Sequence, residues 1–423
     1  MVVSLPSWFV SRSEAAESEL LLTSQRKFGP NDTINVGLIG PGGPKGGYRQ
    51  GFGVANNMRS KPGVKMVAVC DVDADHCDWA AKQFGPDTAK YGDYRQLLND
   101  RKIDAVVIGT PDHWHSRIAI DAMKAGKDVY CEKPLTLAIQ EGRDIANAAN
   151  RGKRVFQTGS QQRSDPRFRL ACELVRNGRV GKLLKVTTHL PTGPAGGPFE
   201  DKPIPANFDW NMWLGPAPMT EYIYERTHGN FRWWLEYSGG MLTDWGAHHN
   251  DIAQWALGMD DSGPISVEGS AKNPPMTGRK FYNTFPEYEV LYRYANGVPL
   301  HCTNTGENGV MFEGDKGWIF VSRGAIRASD AKLLEEPLPA TATKLYVSND
   351  HVLNFVDCMR TRQQPICNAE VGHRSATVCH LANISLQLQG RKLMWDPRTE
   401  RFPTDAEAQS MVARPHRKWE AKA

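Results

Sequence analysis

From residue 34 the chain alternates short apolar runs with amphipathic stretches. The runs Ile34–Ile39, Val64–Cys70, Ile103–Ile108 and Asp128–Cys131 are nearly continuous in apolar residues, and Val155–Gln157 adds a short fifth. Gln50–Arg59, Asp73–Phe84, Tyr94–Leu98, His115–Ala125 and Thr136–Asn150 read as helices between and after them. Apolar strands separated by helices predict a parallel sheet covered on both faces. Residues 34–159 are therefore expected to form a doubly wound α/β domain.

Beyond residue 160 the pattern changes. Phe168–Asn177 reads as a helix, and Lys182–His189, Ile265–Gly269, Tyr288–Tyr294, Pro299–Asn304 and Gly317–Val321 read as strands. Residues 191–218 hold seven prolines and form a long irregular excursion; loops of that length tend to be functional or disordered. The expectation is a second, α+β domain over 160–402 with a large open, mainly antiparallel sheet. Residues 1–33 read as an arm or linker and 403–423 as a solvated tail.

Composition narrows the function. A net charge of +4 over 423 residues, with its basic cluster confined to the tail around Arg414, Arg417, Lys418 and Lys422, lacks the footprint of nucleic-acid binding. No apolar run approaches the roughly 18 residues of a spanning helix. Eight cysteines without a C-x-x-C pair read as free buried thiols.

The first apolar run ends in Gly40-Pro41-Gly42-Gly43-Pro44-Lys45-Gly46-Gly47, followed by a helix. Glycines there permit a tight turn and let backbone N–H groups reach a pyrophosphate at the helix N-terminus. The pattern departs from G-x-G-x-x-G, since Lys45 stands where the third glycine belongs. Asp71, ending the second run, supplies an acid for the adenosine ribose hydroxyls and repels a 2′-phosphate, so NAD is favoured over NADP. Gly40, Gly42, Gly43, Gly46 and Asp71 are the expected cofactor contacts.

Glu132-Lys133-Pro134 ends the fourth run, where open α/β sheets place ligands. Pro134 restricts Lys133 to extended backbone, and a desolvated ammonium there can polarise a substrate hydroxyl. With Thr110-Pro111-Asp112-His113-Trp114-His115 and Ala125-Gly126-Lys127, this segment resembles the Gfo/Idh/MocA oxidoreductases, which include glucose–fructose oxidoreductase and inositol dehydrogenase. The resemblance implies a Rossmann domain joined to an open-sheet α/β domain. It also implies cofactor contacts at Thr110, Pro111, His115, Glu132 and Lys133, a carbohydrate or polyol substrate, and homo-oligomers associating through the second sheet.

Asp244, His248, Asp251 and Trp255 fall within one arc of a helix opened by Ser238-Gly239-Gly240. This segment resembles the family's catalytic Asp-x-x-x-His. His248, with an ordinary pKa near working pH, is suited to take the hydroxyl proton. Lys133 would polarise the same oxygen and Asp244 would support the pair, although Lys133 and His248 can exchange roles. Metal ligation by His113-x-His115 or by the Asp/His face lacks a further ligand set, so no metal is expected.

Six tryptophans lie between Trp210 and Trp255. Indoles stack on sugar faces as readily as they fill cores. Arg163, Arg167, Trp234 and His249, with Arg232 and His228, are the candidate substrate contacts. The leading expectation is an NAD-dependent dehydrogenase of a sugar, sugar derivative or cyclitol. The alternatives are a glycoside hydrolase that oxidises, eliminates and reduces again on one NAD, and a ligand sensor that has lost catalysis. Location is cytoplasmic, or periplasmic if a twin-arginine signal was removed upstream, since Leu5-Pro6-Ser7-Trp8-Phe9 resembles the stretch directly behind such a signal.

Overall fold

In the computed structural model, residues 5–13, 33–44 and 48–419 are described. Six strands, β1 (Ile34–Ile39), β2 (Val64–Cys70), β3 (Ala89–Tyr91), β4 (Ala105–Ile108), β5 (Asp128–Cys131) and β6 (Phe156–Thr158), build one sheet in the order β3-β2-β1-β4-β5-β6. Every pairing is parallel. Strands are added outward to one side of β1 and then, from β4, to the other, and the crevice above that switch point is where ligands of such folds bind. β4 and β5 are buried along their whole length, as strands covered on both faces must be.

Boundaries shift where local chemistry overrides periodicity. The helix expected from His115 begins at Asp112, directly after Pro111 at the N-cap position, with an acid in its first turn. The strand expected from Ile103 begins at Ala105. Asp73 opens the helix Ala74–Phe84 by accepting from the N–H groups of Asp75 and His76.

The second sheet has eight strands: β7 (Leu183–His189), β8 (Ser266–Asn273), β9 (Glu287–Arg293), β10 (Pro299–Thr303), β11 (Gly309–Gly314), β12 (Gly317–Val321), β13 (Ile326–Ala328) and β14 (Leu393–Met394). Their order is β13-β12-β11-β7-β10-β9-β8-β14. Only β7 and β10 run parallel; the other pairs are antiparallel. Burial alternates along β9, so one face is packed and the other open. Helices Pro166–Arg176, Gly246–Leu257 and Ala369–Gln387 share the packed face's core with the sheet.

Three segments depart from expectation. Helix His351–Thr361, from late in the chain, packs Val352, Phe355, Val356 and Met359 against the first sheet beside Val36, Leu38 and Met58. Residues 7–13 are helical, and Phe9, 1% exposed, lies under the Arg169 guanidinium in the second domain's core. The solvated-tail expectation is corrected. Phe402, Ala408 and Val412 are core residues, Arg414 donates to the Leu235 carbonyl, and Arg417 donates to Gly215 and to Asn211. Burying apolar residues from the chain's end closes the second domain's core, and the arginines hydrogen-bond backbone carbonyls on the way.

All eight cysteines are free and buried. Among the described residues no helix is long and apolar enough to cross a membrane.

Candidate active site

Two clefts meet at Tyr48. The first runs over the carboxyl ends of β1, β2 and β4 and is lined by Gly40, Gly42, Asp71, Thr110 and Pro111 on one side and Phe208, Trp213, His228 and Phe231 on the other. Gly40 and Gly42 have φ of +76° and +66°. A Cβ on Gly42 would lie 2.2 Å from the Tyr48 carbonyl oxygen, so only glycine fits this turn. Gly43 packs against the His76 ring, where a Cβ would come within 2.1 Å. Gly46, with Lys45 and Gly47, lies outside the described residues. Asp71 is pushed up to about 6 by burial, opposed by the nearby His76. A turn that tolerates no side chain, followed by a strand-end acid in the same cleft, fits a dinucleotide.

The second cleft encloses about 530 Å³ and is lined by Tyr48, Gln50, Lys133, Gln161, Gln162, Asp165, Arg167, Asp244, Trp245, His248 and Arg323. Lys133 stands at the end of β5, before a cis bond to Pro134. Its ammonium donates to Asp244 Oδ1 at 2.5 Å and to the Asp244 carbonyl at 2.9 Å. Arg232 donates to the same carboxylate at 3.3 Å, with its guanidinium 3.6 Å from the Tyr48 ring centre. Burial opposes the charge on Lys133, but Asp244 overrides it and the pKa ends above the ordinary value. Burial likewise opposes ionisation of Asp244, yet Lys133 and Arg232 hold it well below the usual carboxylate range.

His248 differs from the sequence expectation. Its pKa is driven well below the ordinary imidazole value by burial, then by the charges of Lys133 and Arg323. The resting site therefore holds an ammonium, a carboxylate and a neutral imidazole. Asp112 sits behind them, accepting from Ser238 Oγ at 2.5 Å, and burial raises it to about 7.

The helix carrying these groups is broken: Met241–Asp244 ends, Trp245 bends the chain, and Gly246–Leu257 follows. Asp244 and His248 both reach the pocket across the bend. Asp251 does not; it forms a buried ion pair with Arg163 at 2.8 Å, and Asp260 joins from the other side. Arg163, 1% exposed and fully engaged there, is corrected from a substrate contact to a core ion pair. Trp234 is corrected likewise: it is 0% exposed, with Arg226 stacked at 3.9 Å. His249 is buried against Trp245 and bonds Asn308 at 2.8 Å, outside the pocket. Arg167 lines the pocket, paired with Asp165 at 2.6 Å.

The His115 ring nitrogens lie 2.9 Å from the carbonyls of Pro134 and Thr110, and the ring, held toward its neutral form by burial, donates to one of them. It thus ties the Thr110–Pro111 turn to the Lys133–Pro134 turn instead of facing either cleft. His113 bonds the Trp213 carbonyl at 3.0 Å. Glu132 is buried, takes hydrogen bonds from Gln50 and Gln161, and is pushed up by burial. His228, expected at the substrate, packs instead against His76 in the first cleft.

Tyr48, Gln162, Asp165 and Arg323 carry no motif and were not anticipated. Tyr48 alone had a signal, as the first side chain after the glycine turn.

A parallel sheet of this order, a glycine turn at its switch point and a lysine beside a second-domain His define a nicotinamide-dependent oxidoreductase. The chain belongs to the Gfo/Idh/MocA oxidoreductase family. It matches that family's NAD-binding Rossmann fold over residues 34–160 and its C-terminal alpha/beta domain over 173–421. It is 26% identical to the scyllo-inositol 2-dehydrogenase (NAD(+)) of Bacillus subtilis over 348 residues, 77% of this chain and 89% of that protein. The oxidoreductase YrbE of the same organism is 24% identical over 371 residues, 84% of this chain and 94% of the relative. The aldose-aldose oxidoreductase of Caulobacter crescentus, solved with glycerol, shares the fold with a TM-score of 0.63 at 18% identity, covering 86% of this chain and 99% of that one.

Proposed function

We propose that the protein is an NAD-dependent dehydrogenase that oxidises the hydroxyl-bearing carbon of a sugar, sugar derivative or cyclitol. The observation that carries this reading is the convergence of Lys133, Asp244 and His248 on one pocket that meets the dinucleotide cleft at Tyr48. The names of the relatives, inositol and aldose enzymes among them, agree with it.

Gly40, Gly42 and Gly43 would cradle the pyrophosphate, Asp71 the adenosine ribose, and Thr110 and Pro111 the middle of the cofactor. When bound, the nicotinamide would supply a hydride acceptor for the hydroxyl carbon. The chain's own residues handle the proton. Lys133, kept protonated by Asp244, donates a hydrogen bond to the substrate oxygen and stabilises its developing negative charge. His248, neutral at rest, takes the hydroxyl proton. Asp244 fixes the ammonium by two hydrogen bonds and balances its charge once the substrate is seated. Reduction of a carbonyl runs the same proton path in reverse.

NAD is the cofactor we infer over NADP, because the Asp71 carboxylate would face a 2′-phosphate. A panel of neutral and acidic sugars, polyols and cyclitols, followed by NADH absorbance, tests the reading. Substrate-dependent NADH formation that Lys133→Met abolishes supports it; release of an aglycone without net NADH would replace it with the hydrolase reading.

A further inference from the structure

We propose that the substrate of this site carries an anionic group, a carboxylate or a phosphate, that Arg323 recognises beside the reacting carbon. The inference rests on the dehydrogenase reading for the identity of the pocket and adds the class of substrate.

Arg323 sits in the tight turn from Ser322 to Ala325 that joins β12 to β13. The guanidinium crosses to the pocket and lies over the Trp245 indole, 4.5 Å from its ring centre. Turned so that both its ends are satisfied, the Gln162 amide accepts from Arg323 Nε at 3.1 Å and donates to the His248 carbonyl at 3.2 Å. Ring and amide hold the guanidinium in one orientation beside His248 and leave its terminal nitrogens for a ligand. A planar fork held this way matches the two oxygens of a carboxylate or phosphate.

The charges around the pocket point the same way. Lys133 and Arg232 share the Asp244 carboxylate, and Arg167 holds Asp165. Among the described residues no carboxylate pairs with Arg323. Glu132 contributes a buried carboxyl group that burial pushes toward its neutral form. The pocket therefore carries a positive surplus that an uncharged sugar leaves uncompensated. An anion on Arg323 also acts on the chemistry. The Arg323 charge is one of those that depress His248, so neutralising it raises the basicity of the imidazole when an acidic substrate is bound.

Isothermal titration of the whole protein, saturated with NAD, tests this directly. The titrants are D-glucuronate, D-galacturonate and D-glucose 6-phosphate, against D-glucose and D-galactose. The expected result is that at least one acidic sugar binds about tenfold or more tighter than its neutral parent, a preference weakened by salt. Arg323→Gln abolishes that preference while NAD affinity stays within about twofold. Tighter uronate binding assigns a carboxylate; tighter sugar-phosphate binding assigns a phosphate. Equal affinity for acidic and neutral sugars, no binding of any acidic sugar, or an unchanged preference in Arg323→Gln overturns the inference. Arg323-dependent binding with no NADH formed from any sugar would instead overturn the dehydrogenase reading and leave the anion site standing.

Discussion

Lys133, Asp244 and His248 set one another's protonation, and that coupling decides the pH behaviour. His248 is depressed by burial and by two cations. It stays neutral, and able to accept a proton, as pH falls through the ordinary imidazole value of about 6.5. The acid limb of the oxidation profile, measured as kcat against pH, should therefore lie clearly below that value with neutral substrates. An acid limb at the ordinary value would show that the cations do not act on it. Asp71 gives a second pH effect. With its pKa raised to about 6, the carboxylate is charged above that pH and increasingly neutral below it. Discrimination against NADP should shrink as pH falls through 6, and Asp71→Asn should remove the pH dependence when Kd values for both cofactors are compared. Arg163→Met should lower stability by about 3–5 kcal/mol, because Asp251 is left buried without its cation, and should leave KM unchanged in protein that folds. Sequence spacing made Lys133, Asp244 and His248 legible because motifs mark them. It misplaced Arg163 and Trp234, since a charge or an indole reads alike whether it faces a pocket or a core partner.

Most strands and helices of the first domain were legible as alternating apolar runs, and the parallel sheet followed from them, but the strand order was not read. Less visible were β11, the short strands β3, β13 and β14, and helices His351–Thr361 and Ala369–Gln387. Ala369–Gln387 is buried along most of its length, so no polar face marks it. The bend at Trp245 was also invisible. Asp251 follows His248 on the same helix and shares its arc, but spacing does not show that one turn further along the axis the neighbour is the buried Arg163 and not the pocket. The glycine turn yields a test at this scale. Gly42→Ala places a Cβ against the Tyr48 carbonyl in a left-handed backbone, so NAD affinity should fall by tenfold or more with the second domain's fold intact by circular dichroism. The N-terminal helix yields another. Phe9→Ala should cost about 3–5 kcal/mol in urea unfolding, as expected for a large buried ring. A loss below about 1 kcal/mol would mean that the helix is not docked.

Across the whole molecule, the two sheets are tied together around the clefts. Lys133 reaches Asp244, Asp112 accepts from Ser238, and His113 and Trp114 both bond the Trp213 carbonyl. Helix His351–Thr361 covers the first sheet although its sequence comes after most of the second, so a division of the chain at residue 160 does not divide the cores. The first cleft is walled by strand ends of the first sheet and by residues of the excursion between β7 and β8, so the proposed cofactor site adjoins the pocket that Lys133 and His248 line. The central claim is that this placement performs oxidation at a CH–OH carbon. The measurement that tests it most directly is kcat and NAD affinity for wild type, Lys133→Met and His248→Ala on the best substrate of a sugar and polyol panel. The account predicts losses of about 10²–10⁴ in kcat for each variant with NAD binding retained. Near-normal turnover in both variants would contradict it.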